Sequence, residues 1–172
     1  MSKISDLKRA LGSGARTNKF EVQFQAIPGV DIFKEIGSLL AKSTAFPGKN
    51  IPMVEAFLRG RKTLLQGMTD YGNTFEVTFY ETSDHRVRTI FLLWMRLMDD
   101  DVLDMHNYTY VSTATIKQLQ NDGSTNHFGG AYTLLNMWPQ AVGEMSMDAS
   151  EVNTVGTFTV TFAFDSAVPV AL

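Results

Sequence analysis

The 172-residue chain contains no cysteine, which excludes a disulfide framework and any thiolate-held metal. Long apolar runs are missing too. The longest is Ile90–Met95, against roughly 20 residues for a membrane-spanning helix, so no membrane anchor is expected. Met1–Ala10 is polar and charged and lacks the apolar stretch and cleavage site of a secretory signal. A soluble protein made in the cytoplasm is the expectation. Charged residues are scarce at 19%, below the usual value of about 25%, which suits a surface partly covered by partners. Positive charge is absent from an entire third of the chain. All 15 Lys and Arg precede residue 118, where 13 acids leave +2; residues 118–172 hold only Asp122, Glu144, Asp148, Glu151 and Asp165, giving −5. The net −3 excludes an overall basic nucleic-acid binder.

What is present is a globular composition, with 44% hydrophobic and 11% aromatic residues. Disorder is excluded, and the length predicts one domain over 1–172 that buries about 70% of its unfolded surface. Ser5 or Asp6 is expected to cap a short helix that runs to Leu11 and stops at Gly12 and Gly14. Phe20, Val22, Phe24 and Ala26 alternate with polar residues, the period of a half-buried strand ended by Pro28-Gly29. Ile32, Phe33, Ile36, Leu39 and Leu40 have helical spacing, with a strand to follow at 41–46. The stretch from Phe46 to Met68 is rich in apolar residues yet punctuated by Pro47, Gly48, Pro52, Gly60 and Gly67. It reads as a long irregular excursion carrying the basic cluster Arg59, Arg61 and Lys62, and such excursions are usually functional. That cluster reads first as a salt-bridging or solvated face.

A strand is expected through Phe75, Val77 and Phe79, then one principal helix over about 85–98, capped by Thr82, Ser83 or Asp84. Val87, Ile90, Phe91, Trp94, Leu97 and Met98 form its apolar stripe, while Leu92, Leu93 and Met95 lie outside it. The acids Asp99, Asp100 and Asp101 oppose the helix dipole and place its end near Met98. Strands are expected at 108–119 and 132–138 around a loop between Asn121 and Gly130, and at 145–148. The cleanest strand is 157–165, where Phe158, Val160, Phe162 and Phe164 alternate with threonines and Asp165. The sum is six or seven antiparallel strands with one principal helix.

No phosphate-binding glycine loop, nucleophile elbow or zinc-hydrolase helix motif occurs. His85, His106 and His127 are scattered singly. Asp99, Asp101, Asp104 and His106 match no calcium-loop spacing and read as a solvated acidic loop. Glu144 and Asp148, on one face of the expected strand, could pair as glycosidase acids do, but no pocket signature accompanies them. Neither a catalytic residue, a cofactor nor a metal ligand is expected, and the chain is read as a non-enzyme.

One ordered set of segments is specific. Trp138-Pro139, Val142-Gly143-Glu144-Met145, Met147-Asp148, Thr157-Phe158 and Val160–Asp165 resemble the C-terminal signature of tail tube proteins from contractile-tailed bacteriophages. Ala15-Arg16, Asn18, Phe20 and Val22 resemble that family's first strand; Thr44–Pro47, Ile51-Pro52 and Arg61-Lys62 resemble its strand end and long loop. Phe91 and Trp94 match the aromatic pair of its helix. The similarity covers about residues 8–165 and departs from the family at 27–43, at 121–130 and after Asp165.

The resemblance implies a mainly β fold, an antiparallel β-sandwich or barrel with a helix. Six copies would form a ring with a continuous inner barrel, and stacked rings would form the tube for phage DNA in the virion tail. It implies contacts with a sheath protein, a baseplate tube initiator, a tape-measure protein and a tail terminator. The long loop at about 46–70 would reach the adjoining ring, with Phe46, Pro47, Phe57, Arg59, Arg61, Lys62 and Trp94 between rings or subunits. A DNA channel lined by cations would grip phosphates, so the acids Glu21, Glu76, Glu144, Asp148 and Asp165 are expected in the lumen against the lone Lys117. The same fold also serves baseplate initiators, tailocins, the type VI secretion tube and other DNA-free injection devices, which are the alternative readings; a small β-barrel ligand carrier is the rival from another class.

Overall fold

The computed structural model describes residues 3–11, 14, 16–25, 40–101, 110–120 and 130–170. Along these the elements run α1 (Lys3–Leu11), β1 (Phe20–Phe24), β2 (Ala41–Thr44), β3 (Met53–Leu58), β4 (Arg61–Gln66), β5 (Thr74–Tyr80), α2 (Arg86–Asp101), β6 (Ser112–Gln118), β7 (Ala131–Val142), β8 (Thr157–Ala163) and β9 (Ser166–Pro169). Every strand pairing is antiparallel. The main sheet has the order β1-β6-β7-β8-β5-β2, with β9 also on β7. The fold is mainly β with two helices among the described residues.

Alternation explains the sheet. On β1, β5 and β8 the residues Val22, Phe24, Phe75, Val77, Phe79, Phe158, Val160 and Phe162 are buried, while their neighbours along each strand point to the other face. Phe24, near one end of the strand order, meets Phe79 and Phe162 near the other end, with ring centroids 6.2 and 5.6 Å apart. The sheet therefore folds over on itself around an aromatic core. Long β7 makes this possible. It pairs with β6 on one edge and with β9 and then β8 on the other, and its Asn136 takes a left-handed conformation (φ 53°) at a register shift.

Helix α2 closes the core. Val87, Ile90, Phe91 and Trp94 are buried; the Phe91 ring packs on Phe24, Phe79, Phe158 and Phe162, and the Trp94 indole N–H donates to the Tyr110 carbonyl at 2.7 Å. Trp94 thus belongs to the core of its own chain, which corrects its expected place between subunits: a fully enclosed indole has no surface to offer.

The start of α2 also differs from expectation. The principal cap is Glu81, whose buried carboxylate accepts from the backbone N–H groups of Thr82 (2.9 Å), Val87 (3.2 Å) and Arg88 (3.0 Å). This negative group satisfies open donors at the positive end of the helix. Of the expected caps, Thr82 adds one weaker bond, accepting from Arg86 N–H at 3.3 Å. At the other end α2 runs past Met98 to Asp101, and Leu97 is exposed rather than part of the buried stripe.

Four further expectations are corrected. Helix α1 begins at Lys3, so Ser5 and Asp6 lie inside it, with Asp6 paired to Arg9 at 3.3 Å. The excursion after Phe46 contains a regular hairpin, β3–β4, in a sheet of its own. Residues 143–156 contain no strand; the last ladder bond runs from Gly143 N–H to the Thr159 carbonyl at 2.7 Å, and Asp148 instead begins a turn. The segment after Asp165 forms an additional strand, β9. The helical spacing at 32–40 and the positions Asp104 and His106 lie outside or at the edge of the described residues, as do His127 and most of the 121–130 loop.

Candidate functional site

The features that stand out are surfaces. Strands β3 and β4 pair from Met53↔Gln66 to Leu58↔Arg61, and eleven of their twelve residues are exposed. The two-residue turn is Arg59-Gly60, with φ of 48° and 77°. Both values are positive, as a turn matched to strand twist requires. The base is fastened by Gly67 N–H donating to Pro52 O at 2.8 Å and by a reciprocal pair of 2.7 Å bonds between Asn50 and Asp70. This arm carries apolar residues on both faces: Met53 (70% exposed), Phe57 (71%) and Leu58 (73%), with Val54, Leu64 and Leu65 half open. A two-stranded hairpin is marginal alone in water, and this much uncovered apolar surface marks an interaction site.

Charge on the arm is divided. The Lys62 ammonium pairs with the Glu55 carboxylate, while among the described residues Arg59 and Arg61 at the tip have no ion-pair partner. Of the residues expected near subunit contacts, Phe57, Arg59, Arg61 and Lys62 are therefore together on one arm. Phe46 and Pro47 stand at its root, where the Phe46 ring packs on Tyr132 at 5.4 Å. Phe46 also lines a cleft of about 280 Å³ with Thr17, Lys19, Phe20, Thr44, Ala45, Ile116 and Gln118. That lining presents one charged group, Lys19, and no acid–base pair.

The five acids expected to share a channel wall occupy four different settings. Glu21 lies on the outer face of β1, where the Gln23 amide donates to it at 2.9 Å and Lys117 Nζ donates to Gln23 at 2.8 Å. Glu76 lies on the outer face of the opposite half of the folded sheet, on β5 beside Thr161 of β8. Asp165 sits between β8 and β9 and accepts from the Asn136 amide at 2.8 Å. Glu144 and Asp148 do not share a strand face. Both are exposed in the 143–156 connection, where hydrogen bonds from the Ser150 hydroxyl and amide hold the Asp148 carboxyl below the ordinary aspartate range.

Two further surfaces stand out, of which only the second was expected from the sequence, through Leu92 and Leu93 outside the apolar stripe of the helix. The 143–156 connection exposes Met147 (77%), Val152 (79%) and Val155 (58%) beside Glu144, Asp148 and Glu151. The outward side of α2 exposes Leu92, Leu93 and Leu97. A sequence signal for the first existed: apolar residues interleaved with acids in a segment free of lysine and arginine. Strand edges are open as well, since among the described residues β1 pairs only with β6, β2 only with β5 and β9 only with β7. No helix among the described residues is long and apolar enough to cross a membrane.

Comparison with known proteins gives these surfaces a setting. The family model for phage tail tube proteins matches residues 15–168. Tail tube protein gp19 of Enterobacteria phage T4 is 25% identical over 167 residues, covering 94% of this chain and 97% of that protein. The gp19 protein of Enterobacteria phage T6 is 26% identical over 171 residues with the same coverage. Among solved structures, a chain of the extended sheath-tube complex of the extracellular contractile injection system PVC superposes with TM-score 0.62 at 13% identity over the whole of both chains. A chain of the tube-terminating cap of the anti-feeding prophage superposes with TM-score 0.63 at 12% identity over 91% of each. At those identities the likeness is one of fold. With a family match that spans nearly every described strand, the chain belongs to the phage tail tube protein family, whose members are structural proteins and not enzymes.

Proposed function

We propose that six copies of this chain close into a ring, that rings stack into the inner tail tube, and that phage DNA passes through the channel. The observation that carries the reading is the arm: a hairpin with eleven of twelve strand residues exposed belongs to a protein completed by its neighbours. Open edges on β1, β2 and β9 support it, because such edges invite aggregation unless another strand pairs with them. A ring with a continuous inner barrel would use them up.

The outer faces of the sheet suit a channel that does not grip DNA. Thr74, Glu76, Thr78, Thr157, Thr159 and Thr161 alternate with the core residues of β5 and β8, and Thr78 and Thr159 share a hydrogen bond of 3.0 Å. On the other half, Lys117 is engaged by Gln23 beside Glu21. β1, β5, β6 and β8 present no free cation on these faces, and Lys42 of neighbouring β2 lies over the Tyr80 ring, so the strand faces give phosphates few of the counterion-releasing contacts that hold a duplex. The remaining partners are a sheath protein around the tube, an initiator at the baseplate, a tape-measure protein within and a terminator at the far end. The PVC neighbour, itself part of a sheath-tube complex, supports the first of these.

Electron microscopy of the purified protein tests the reading. Sixfold rings or hollow tubes are expected. A species that stays monomeric across a wide concentration range would overturn it.

A further inference from the structure

The arm and the 143–156 connection are complementary in a way neither can use within its own chain. The arm tip offers Phe57 and Leu58, more than 70% exposed, flanked by Arg59 and Arg61. The connection offers Met147 and Val152, also more than 70% exposed, flanked by Glu144, Asp148 and Glu151. Among the described residues none of these five charges has an ion-pair partner. No lysine or arginine lies near the connection in sequence, because the chain has none after Lys117.

We infer that the arm tip of one subunit docks on the 144–155 connection of a second copy, apolar against apolar and arginine against carboxylate. The inference rests on the self-assembly reading above and names the two surfaces that meet. A second copy is the occupant because the complementary half is already part of every subunit. Charge complementarity of this kind steers encounter and fixes register more than it adds raw affinity, which suits an interface repeated identically along a polymer. The inference also gives the acidic C-terminal third a second cause. Glu144, Asp148 and Glu151 serve as a counter-surface for the arm, and the channel wall is left to the strand faces.

The absence of cysteine permits a direct test. Leu58→Cys and Val152→Cys, both at exposed positions, are introduced together and the assembled protein is oxidised. A disulfide needs Cα atoms within about 7 Å, so docking yields a ladder of covalent multimers on a non-reducing gel. The paired control, Leu58→Cys with Leu93→Cys, should remain monomeric on the same gel. A ladder from the control and none from the first pair would overturn the inference and seat the arm on α2. Charge reversal gives a second readout: Arg59→Glu with Arg61→Glu should lower the yield of sedimentable polymer at least about tenfold, and adding Glu144→Lys with Glu151→Lys should restore most of it. If reversing the acids alone leaves polymer intact, the pairing is wrong while self-assembly stands. If the unmodified protein forms no assembly, the self-assembly reading itself has failed.

Discussion

Replacing Gly67 by alanine isolates the arm from the rest of the protein. A Cβ at this position would stand 2.6 Å from the Pro52 carbonyl oxygen and 3.1 Å from Pro52 Cγ, and that same oxygen accepts the Gly67 N–H at 2.8 Å. Neither atom can retreat cheaply, because the nearer one is backbone. The substitution removes a hydrogen bond with a net value of about 1 kcal/mol and adds overpacking strain of about 1–3 kcal/mol. Alanine recovers about 0.4–1 kcal/mol by restricting the unfolded chain. The balance is about 1–3 kcal/mol against the closed arm. Every 1.4 kcal/mol is about a tenfold change in population, so a marginal hairpin becomes mostly open. The main sheet does not include β3 or β4, so the thermal midpoint should move by less than about 2 °C. Amide exchange at Ala56 and Thr63, a hydrogen-bonded pair of the arm's ladder, should lose its protection, and polymer yield should collapse. Gly48→Ala, in open space on the same excursion, is the neutral control. A midpoint lowered by more than about 5 °C would show that the arm is part of the core, and unchanged exchange and assembly would refute the steric reasoning.

Trp94→Ala removes a fully buried indole and should cost about 3–5 kcal/mol in urea unfolding; Phe57→Ala, on the arm, should stay within about 0.5 kcal/mol and act on assembly alone. Glu81→Ala strips the three backbone N–H groups at the start of α2 of their acceptor and should cost about 2 kcal/mol by the same measurement. For Asp84 and Asp148, hydrogen bonds to Thr82 and to Ser150 lower the carboxyl pKa beneath the ordinary 3.8. A depressed folded-state pKa contributes stability that is present above the unfolded value and lost as pH falls through the folded one. Carboxyl NMR titration should therefore show both groups as late to protonate on acidification, and Ser150→Ala should return Asp148 toward 3.8.

Strands with one face in the core were legible. The alternation of Phe75, Val77 and Phe79, and of Phe158, Val160 and Phe162, exists because one side of each strand is buried and the other is not. The arm obscured itself for the converse reason. Both of its faces are exposed and both carry apolar residues, so no period of two emerges, and its turn is Arg-Gly rather than the Asn-Gly or Asp-Gly that signals a tight hairpin. At 145–148 the reverse happened, since Met145 and Met147 alternate with polar residues while the ladder has already ended at Gly143. Strand β9 escaped notice because it has one buried residue, Ala167, and ends at Pro169. The Glu81 cap lies five residues before the first residue of α2, beyond the reach of local capping patterns. The apolar halves of the arm and helix were visible as residues; their exposure became visible only with the fold.

Methionine gives the exposed surfaces a chemical liability. Met68 (88% exposed), Met147 (77%) and Met53 (70%) lie at the arm and on its proposed counter-surface. Oxidation of a thioether to the sulfoxide makes an apolar side chain polar, and here it would strike the contacts that join subunits while sparing the buried Met137. Peroxide applied to free subunits should prevent polymerisation without unfolding them, whereas the same dose applied to finished polymer should leave these sulfurs largely unreacted. Joining a tube would then act as antioxidant protection in a protein with no thiol to sacrifice.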